Sequence, residues 1–280
     1  MRDIEAGAVT EAVARLCIDA NCRLGEDVRG AICRGIEREV SPVGRDILCK
    51  LIENADIAAR EEMPICQDTG MAVFFVEIGQ EAHITGGLLT DAINEGVRRG
   101  YADGYLRKSV VSDPIERKNT GDNTPAVIHY DIAAGDKIKI TAAPKGFGSE
   151  NMSALKMLKP SDGLDGVRSF VLEAVKNAGA NPCPPIVVGV GIGGTLEKCA
   201  LIAKKALTRS LDEGNPDPFY ARLEEELLEE VNRLGIGPQG FGGSTTALGL
   251  NIEAYPTHIA GLPCCVNINC HVTRHRSVTI

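Results

Sequence analysis

The chain has 280 residues, 44% of them hydrophobic, which is enough to bury a substantial core in one large domain or two modest ones. Its formal net charge of -8, its aromatic content of 4% and its lack of tryptophan provide neither a basic surface nor stacking platforms, so no nucleic acid is expected as a partner. Because no apolar run approaches the roughly 18 residues of a membrane span and the first residues do not read as a signal peptide, we expect a cytoplasmic protein without membrane contact.

Helical periodicity dominates the first 60 residues. Apolar residues at three-to-four spacing predict a helix over residues 3–20, and Ser41 followed by Pro42 supplies an N-cap and a first-turn proline for another. An amphipathic helix is predicted over residues 90–104. The best-marked helix lies within residues 217–235, where an aspartate cap and a proline precede it and a glycine follows it.

Strands alternate with these helices. Five segments combine apolar runs or alternation with β-branched residues, and they are MAVFFVEIG, AVIHYDIAAGDKIKITAAP, PPIVVGVGIG, TTALGLNIEAYP and CCVNINCHV. Residues 134–136 of the second segment are predicted to form a hairpin turn, which requires antiparallel pairing. The predicted fold class is therefore mixed α/β (α+β), with mixed or antiparallel sheets flanked by helices. No repeat, low-complexity tract or linker interrupts the chain, so a single catalytic domain is expected over residues 1–280.

Glycine-rich loops are the first candidates for a binding site. Gly189, Gly191 and Gly194 have G-x-G-x-x-G spacing between a predicted strand and a helix, as in dinucleotide-binding folds. The residues after Leu207 read as a polar turn where such a fold needs a strand, so a strand-to-helix turn facing an anion is the alternative. Two further loops, PKGFGSEN and GPQGFGGSTTAL, also mix glycine with polar residues. Three such loops favour a site for a small anion.

The ten cysteines are expected to be reduced thiols, since the chain reads as cytoplasmic. Four of them lie among Leu, Ile and Ala at helix-like spacing and are predicted to be small apolar packing residues, namely Cys17, Cys33, Cys49 and Cys199.

Three other cysteines, Cys66, Cys183 and Cys270, lie in loops or at strand edges beside Pro, Asn or His. None belongs to a C-x-x-C pair, which argues against a zinc ribbon, a thioredoxin-like pair and a ferredoxin-type cluster. Separated cysteines can still converge on one metal centre. Three thiolates on a four-iron cluster would leave one iron open to act as a Lewis acid.

Six ordered motifs resemble a known family. They are CQDTG, NTGDNTPAVIHYD, KGFGSEN, NPCPPIVVGVGIGGT, GPQGFGGSTTALGLNIE and THIAGLPCCVNINCHVTRH. Together they resemble the alpha subunit of the iron–sulfur, class I fumarate hydratase and L-tartrate dehydratase family, over about residues 5–276. The resemblance implies a [4Fe-4S] cluster held by Cys66, Cys183 and Cys270, with the fourth iron binding the substrate. Cys265 falls where the family has an apolar residue and is interpreted as packing.

The resemblance also implies a set of residues around the substrate, and each is assigned by its motif. Gln67, Asp68 and Arg107 would contact a small dicarboxylate, with the guanidinium pairing to one carboxylate. Gly146 and Gly148 fall in the loop that offers backbone donors to the other carboxylate. Asp68 and His258 are the candidates for proton transfer, and the sequence does not choose between them.

The implied reaction is the reversible hydration of fumarate to L-malate, with dehydration of L-tartrate to oxaloacetate as the alternative. An iron–sulfur electron carrier is the alternative from another class, although it would need a fourth well-placed thiol. Single-chain relatives add a second domain with further substrate contacts. Nothing here corresponds to it, so a separate beta subunit is expected as partner. Alpha–alpha dimerisation within a heterotetramer is expected as well.

Overall fold

A computed structural model describes all residues, Met1–Ile280, and has the mixed α/β (α+β) fold expected from the sequence. The helices are α1 (Ala6–Cys22), α2 (Glu26–Arg38), α3 (Pro42–Glu61), α4 (Leu89–Asp103), α5 (Phe147–Glu150), α6 (Gly163–Ala178), α7 (Leu196–Ala206) and α8 (Pro218–Arg233). The strands are β1 (Arg2–Glu5), β2 (Val73–Gly79), β3 (Ala82–Thr85), β4 (Val127–Ala133), β5 (Ile138–Ala142), β6 (Ala154–Leu158), β7 (Ile186–Gly193), β8 (Ala247–Tyr255), β9 (Leu262–Asn269) and β10 (Arg276–Thr279). No helix is long and apolar enough to cross a membrane.

The chain divides into two units, each assembled from separated stretches of sequence. The first unit comprises Met1–Leu24, Ala55–Phe147 and Arg274–Ile280. The second unit comprises Gly25–Asn54 and Gly148–Thr273. Residues distant in sequence therefore build each unit, and each has its own hydrophobic core.

The main sheet of the first unit has the strand order β10-β5-β2-β4. β2 is its central apolar strand and pairs parallel with β4 and antiparallel with β5. The predicted hairpin between β4 and β5 is therefore wrong, because β2 lies between them. The sheet is nevertheless mixed, because β2–β4 is parallel whereas β2–β5 and β5–β10 are antiparallel.

The turn predicted at residues 134–136 serves a different purpose. It lies at the end of β2, where the backbone N–H groups of Gln80 and Glu81 donate to the carbonyls of Ala133 (2.8 Å) and Gly135 (2.9 Å). Local alternation identified both strands correctly but not their partner, since pairing with a more apolar strand is set by burial and not by sequence proximity.

Helices α1 and α4 pack against each other and against this sheet in the first unit. Their buried residues include Val13 on α1 and Ile93 and Val97 on α4, each at 0% exposure. Tyr101 near the end of α4 is also fully buried. Its position brings a polar hydroxyl to the underside of the loop that follows residue 65.

The second unit is built around the sheet β6-β9-β7-β8. Alternate residues of β7, such as Val188 and Val190, belong to a core shared with α6 and α8. The opposite face of β7 packs on α7. All eight residues of β7 are buried, as expected for a strand covered on both faces.

Glycine on the α7 side of β7 permits a very close approach of helix and strand. A Cβ atom at Gly189 would lie 2.2 Å from the Ala203 carbonyl oxygen, and one at Gly191 would lie 2.2 Å from that of Cys199. The GVGIGG run is thus required by helix packing, and it needs no nucleotide to account for it.

The predicted helix caps are present. Ser41 Oγ accepts the Gly44 N–H (3.1 Å) at the start of α3, and Asp217 Oδ1 accepts the Phe219 N–H (2.8 Å) at the start of α8. Gly235 follows α8 with φ of 68°. These local signals were sufficient because a cap depends only on residues within one turn.

Candidate active site

The CQDTG loop belongs to the first unit. Ile65, the residue before the loop, is held by a hydrogen bond from its N–H to Asn21 O (2.9 Å). The Cys66 side chain that follows is half-buried. Its Sγ accepts a hydrogen bond from the Asp68 N–H at 3.4 Å. This contact fixes the position of the sulfur within the loop.

Asp68 joins the CQDTG loop to the KGFG loop. Its Oδ1 accepts the Gly70 N–H (3.0 Å) and its Oδ2 accepts the Phe147 N–H (2.9 Å). Glycine at position 146 leaves room for this contact, because a Cβ atom there would lie 3.1 Å from Asp68 Oδ2 and would press on the carboxylate. Both carboxylate oxygens are therefore held by backbone donors, one in each loop.

Arg274 supports the same loop from the end of the chain, and sequence reasoning missed it. Its guanidinium is buried and donates from Nη2 to Asp68 O (2.5 Å) and from Nη1 to Asn21 Oδ1 (2.9 Å). Its Nε is buried without a hydrogen-bond partner. The signal was present in the VTRH segment of the last motif, but a partner 206 residues away cannot be read from it.

Two further groups fix the end of the loop. The Tyr101 hydroxyl donates to the carbonyls of Thr69 and Gly70, both at 3.0 Å. Burial raises the pKa of Tyr101 far above its ordinary value, so the hydroxyl stays a neutral donor. Thr69 Oγ1 in turn accepts the Arg107 N–H at 2.9 Å. Arg107 is exposed, and no hydrogen bond within the protein engages its guanidinium.

Gln67 is also exposed, and its amide has no partner within the protein. Hydrogen bonds in the first unit thus connect the CQDTG loop, which carries Cys66, Gln67 and Asp68, to Arg107 and to the loop that contains Gly146. Side chains able to bind a ligand point outward from these segments, while neighbouring backbone groups are held by buried side chains.

The second unit contains Cys183, Cys270, His258 and Gly148. Cys183 is exposed and has φ of 55°, in the left-handed region that a non-glycine residue seldom adopts. Its carbonyl oxygen accepts the His271 N–H (3.5 Å), and His271 Nδ1 lies 3.0 Å from the same oxygen. The loops of Cys183 and Cys270 are therefore neighbours.

His258 lies in the exposed loop between β8 and β9. Its Nδ1 accepts the Ala260 N–H at 3.2 Å, so in the neutral ring the proton is on Nε2. Thr257 Oγ1 donates to Gly194 O (2.9 Å) and ties this loop to the end of β7. The ring can thus present Nε2 as a donor.

Thiol burial separates the cysteines into two groups. Burial raises the pKa of Cys17 and Cys199 to about 12 and that of Cys265 to about 11, and it also raises the pKa of Cys22 and Cys264. Such thiols are inert packing groups, which confirms the interpretation of Cys17, Cys199 and Cys265.

The same interpretation is wrong for Cys33 and Cys49. Both lie on helices, as predicted, but both are exposed. Three-to-four spacing identifies a helix without stating which face is covered. The only accessible thiols outside helices are then Cys66, Cys183 and Cys270.

The GPQGFGGSTTAL loop was interpreted as a place for a small anion, but a protein carboxylate occupies its backbone donors. Glu39, at 1% exposure, accepts the N–H groups of Ser244 (2.9 Å) and Thr245 (2.8 Å), and also that of Ser41 (2.9 Å). Burial alone would raise the pKa of Glu39, yet these backbone hydrogen bonds hold it below its ordinary value. This loop is a structural anion site filled from within the second unit.

The predicted cluster ligands are divided between the units, with Cys66 in the first and Cys183 and Cys270 in the second. Within neither unit do three His, Cys, Asp or Glu side chains form a group that could hold a metal ion.

Comparison with known proteins identifies the family to which the chain is similar. Residues 10–279 match the model of a family described as fumarate hydratase (Fumerase). The chain is 44% identical over 272 residues to a Methanocaldococcus jannaschii protein described as "Putative L(+)-tartrate dehydratase subunit alpha", covering 95% of each chain. It is 32% identical over 275 residues to the L(+)-tartrate dehydratase subunit alpha of Escherichia coli K12, covering 97% of this chain and 90% of that protein.

Proposed function

The chain belongs to the fumarate hydratase (Fumerase) family of hydro-lyases, and from this premise we propose that it is the alpha subunit of a two-subunit enzyme acting on a four-carbon hydroxydicarboxylate. The observation that carries the proposal is the match over residues 10–279, together with relatives that are alpha subunits by name and align with at least 95% of this chain.

Two substrates follow from different observations. The names of the relatives favour dehydration of L-tartrate to oxaloacetate. The description of the family favours reversible hydration of fumarate to L-malate. L-malate and L-tartrate differ by one hydroxyl group. An enzyme that distinguishes them depends on one or two polar contacts to that group.

The thiols support a [4Fe-4S] cluster in this proposal. Cys66, Cys183 and Cys270 are the accessible cysteines of loops, and soft thiolates are the donors that iron–sulfur clusters require. When bound, a cluster with three thiolate ligands would supply an open iron that polarises the substrate hydroxyl. The Asp68 N–H would remain on Cys66 Sγ and stabilise its negative charge.

The charged ends of the substrate would be held by this chain's own groups. Arg107 has a free guanidinium fork that suits a carboxylate, and the exposed amide of Gln67 is free as well. Gly146 and Gly148 would let the backbone of the KGFG loop approach the other carboxylate closely.

The contacts of Asp68 and His258 support different roles in proton transfer. Both carboxylate oxygens of Asp68 are already engaged by backbone N–H groups, which gives this side chain a structural role between the two loops. His258 is exposed, and its Nδ1 is already held by the Ala260 N–H. We therefore propose His258 for proton transfer, and we assign to Asp68 the task of holding the CQDTG and KGFG loops together.

The partner in this proposal is a separate beta subunit, since the relatives are alpha subunits by name. Alpha–alpha dimerisation within a heterotetramer, in the reducing cytoplasm that free thiols require, completes the proposal.

The test is an anaerobic reconstitution of the chain with iron and sulfide, alone and co-expressed with its beta subunit. We expect the complex to turn over L-tartrate or L-malate and the single chain to show little activity. Full turnover by the single chain would refute the need for a partner. Failure of the reconstituted complex with both diacids would refute the function.

Spectroscopy separates the electron-carrier alternative. An open iron that binds substrate changes the electron paramagnetic resonance signal of the reduced cluster when a hydroxydicarboxylate is added. A cluster with complete protein ligation gives the same signal with and without the diacid. A thermal shift with NAD or ATP would favour the nucleotide alternative, which the packing of Gly189 and Gly191 on α7 disfavours.

A further inference from the structure

The NTGDNTP segment carries part of the family match, yet no role in the reaction is assigned to it. Asn123 within it is fully buried, at 0% exposure, and has φ of 62°. Asparagine tolerates this left-handed conformation better than most residues. A buried amide in an uncommon backbone conformation persists where its surroundings hold it firmly, so its contacts are informative.

The Asn123 amide joins two loops of the first unit. Its Oδ1 accepts the N–H groups of Ser109 (2.7 Å) and Val110 (3.2 Å), and its Nδ2 donates to Gly70 O (3.2 Å). Gly70 ends the CQDTG loop, while Ser109 follows Arg107 by two residues. One neutral side chain therefore links the loop of Cys66 to the backbone beside Arg107.

Thr69 makes a second link between the same two segments. Its Oγ1 accepts the Arg107 N–H (2.9 Å) and lies 3.3 Å from Arg107 O, to which it donates. Since the Arg107 guanidinium has no partner within the protein, these backbone contacts are what fixes the origin of its side chain. The linkage sets where the guanidinium can reach relative to Gln67 and Asp68.

We propose that Asn123 is a positioning residue, which acts through Arg107 by fixing its backbone against the CQDTG loop. The proposal rests on the proposed function, because it concerns the carboxylate that Arg107 would bind. Holding a guanidinium origin in place lowers the entropy lost on binding, so its removal weakens substrate binding more than it slows the chemical step.

The variant Asn123→Asp tests this in the reconstituted two-subunit complex. Aspartate keeps the acceptor for Ser109 and Val110 and the same tolerance of positive φ, but it loses the donation to Gly70 O. Asn94→Asp is the matched control, because Asn94 in the same unit also accepts one backbone N–H and donates to one carbonyl.

We expect Asn123→Asp to raise KM roughly tenfold, as loss of one buried hydrogen bond predicts, with unchanged iron content and a smaller change in kcat. Asn94→Asp should leave KM within about twofold. In an Arg107→Ala background, Asn123→Asp should add no more than about a twofold effect, because both changes act on one contact. Multiplicative effects in that background, or loss of kcat alone, would overturn the proposal.

Limited trypsin digestion supplies a readout that does not depend on activity. Asn123→Asp should raise cleavage after Arg107 and Lys108 about tenfold relative to wild type, while the thermal midpoint moves by only a few degrees. Unchanged cleavage at these sites would refute the anchoring. If Asn123→Asp does not fold, Asn123→Gly replaces it, since glycine also accepts φ of 62°.

Failures of the two proposals differ. If the wild-type complex turns over neither L-tartrate nor L-malate, the proposed function is refuted. Trypsin cleavage after Arg107 and Lys108 then tests by itself whether Asn123 anchors this segment. A wild-type complex that is active, with Asn123→Asp indistinguishable from it in KM and in cleavage, removes the role of Asn123 only.

Discussion

Replacing Glu39 by glutamine should destabilise the second unit, and the contacts of Glu39 give the size of the effect. The carboxylate accepts three backbone N–H groups at 2.8–2.9 Å and is 1% exposed. In glutamine, one oxygen can still accept the N–H groups of Ser41 and Ser244. The amide NH₂ then faces the Thr245 N–H and cannot accept it. Hydrogen bonds to a charged acceptor stabilise by about 1.5–3 kcal/mol each, and those to a neutral one by about 0.5–1.5 kcal/mol.

The substitution weakens two of these hydrogen bonds and removes the third, while burying a neutral amide costs less desolvation free energy than burying a carboxylate. Together these changes predict that the unfolding free energy falls by about 2–4 kcal/mol. Urea unfolding at pH 7, followed by circular dichroism, measures it. Glu37→Gln is the control, since Glu37 is exposed in the last turn of α2, two residues before Glu39, and should change stability by less than about 0.5 kcal/mol. Equal stability of the two variants would refute the reasoning.

The pH dependence supplies a second test of Glu39. Because its folded-state pKa is lower than its ordinary value, the stabilisation is fully present above the ordinary pKa of about 4.3. It is lost as pH falls through the lower folded-state pKa. The difference in stability between wild type and Glu39→Gln should therefore be constant from pH 6 to 8 and shrink below about pH 4.

Three other substitutions test the site and the packing. Cys66→Ser should lose most of the iron of the reconstituted complex, measured by iron and sulfide analysis, whereas Cys33→Ser should keep it; full iron content in Cys66→Ser contradicts the ligand assignment. Asp68→Asn should retain iron but lower kcat at least tenfold, because one amide NH₂ then faces a backbone donor, and unchanged kcat contradicts the role of this carboxylate. Gly189→Ala should lower the unfolding free energy by more than about 3 kcal/mol as it pushes α7 away, while Gly214→Ala, with open space around it, should not; similar denaturation midpoints contradict the packing argument.

Local sequence signals predicted many of the elements but not the strand partners, and they did not mark α6 or the strands β1, β3, β6 and β10. The cap at Ser41 and the helix over residues 90–104 depend on neighbours within a few residues, and the structure has both. The hairpin at residues 134–136 failed because β2, more than 50 residues earlier, supplies a better partner for both strands. Alternation reports that a strand has a covered face, and it does not report what covers it.

The same limit applies to the site. The loop position of Cys66 and the free ends of Gln67 and Arg107 were visible as motifs. Glu39 and Asn123 were not, because each is a polar residue whose contacts lie across the chain from it. Glu39 reaches Ser244 about 200 positions later, and no spacing rule encodes that distance.

The make-up of the first unit has a consequence for its synthesis on the ribosome. β10 (Arg276–Thr279) completes the edge of a sheet whose strand β5 emerges more than 130 residues earlier. Arg274, which holds the Asp68 carbonyl, is translated at the same late stage. The nascent first unit must therefore wait until all of the second has been translated, and its unpaired β5 edge is exposed meanwhile. We expect nascent chains halted before residue 274 to be held by chaperones rather than to be natively folded.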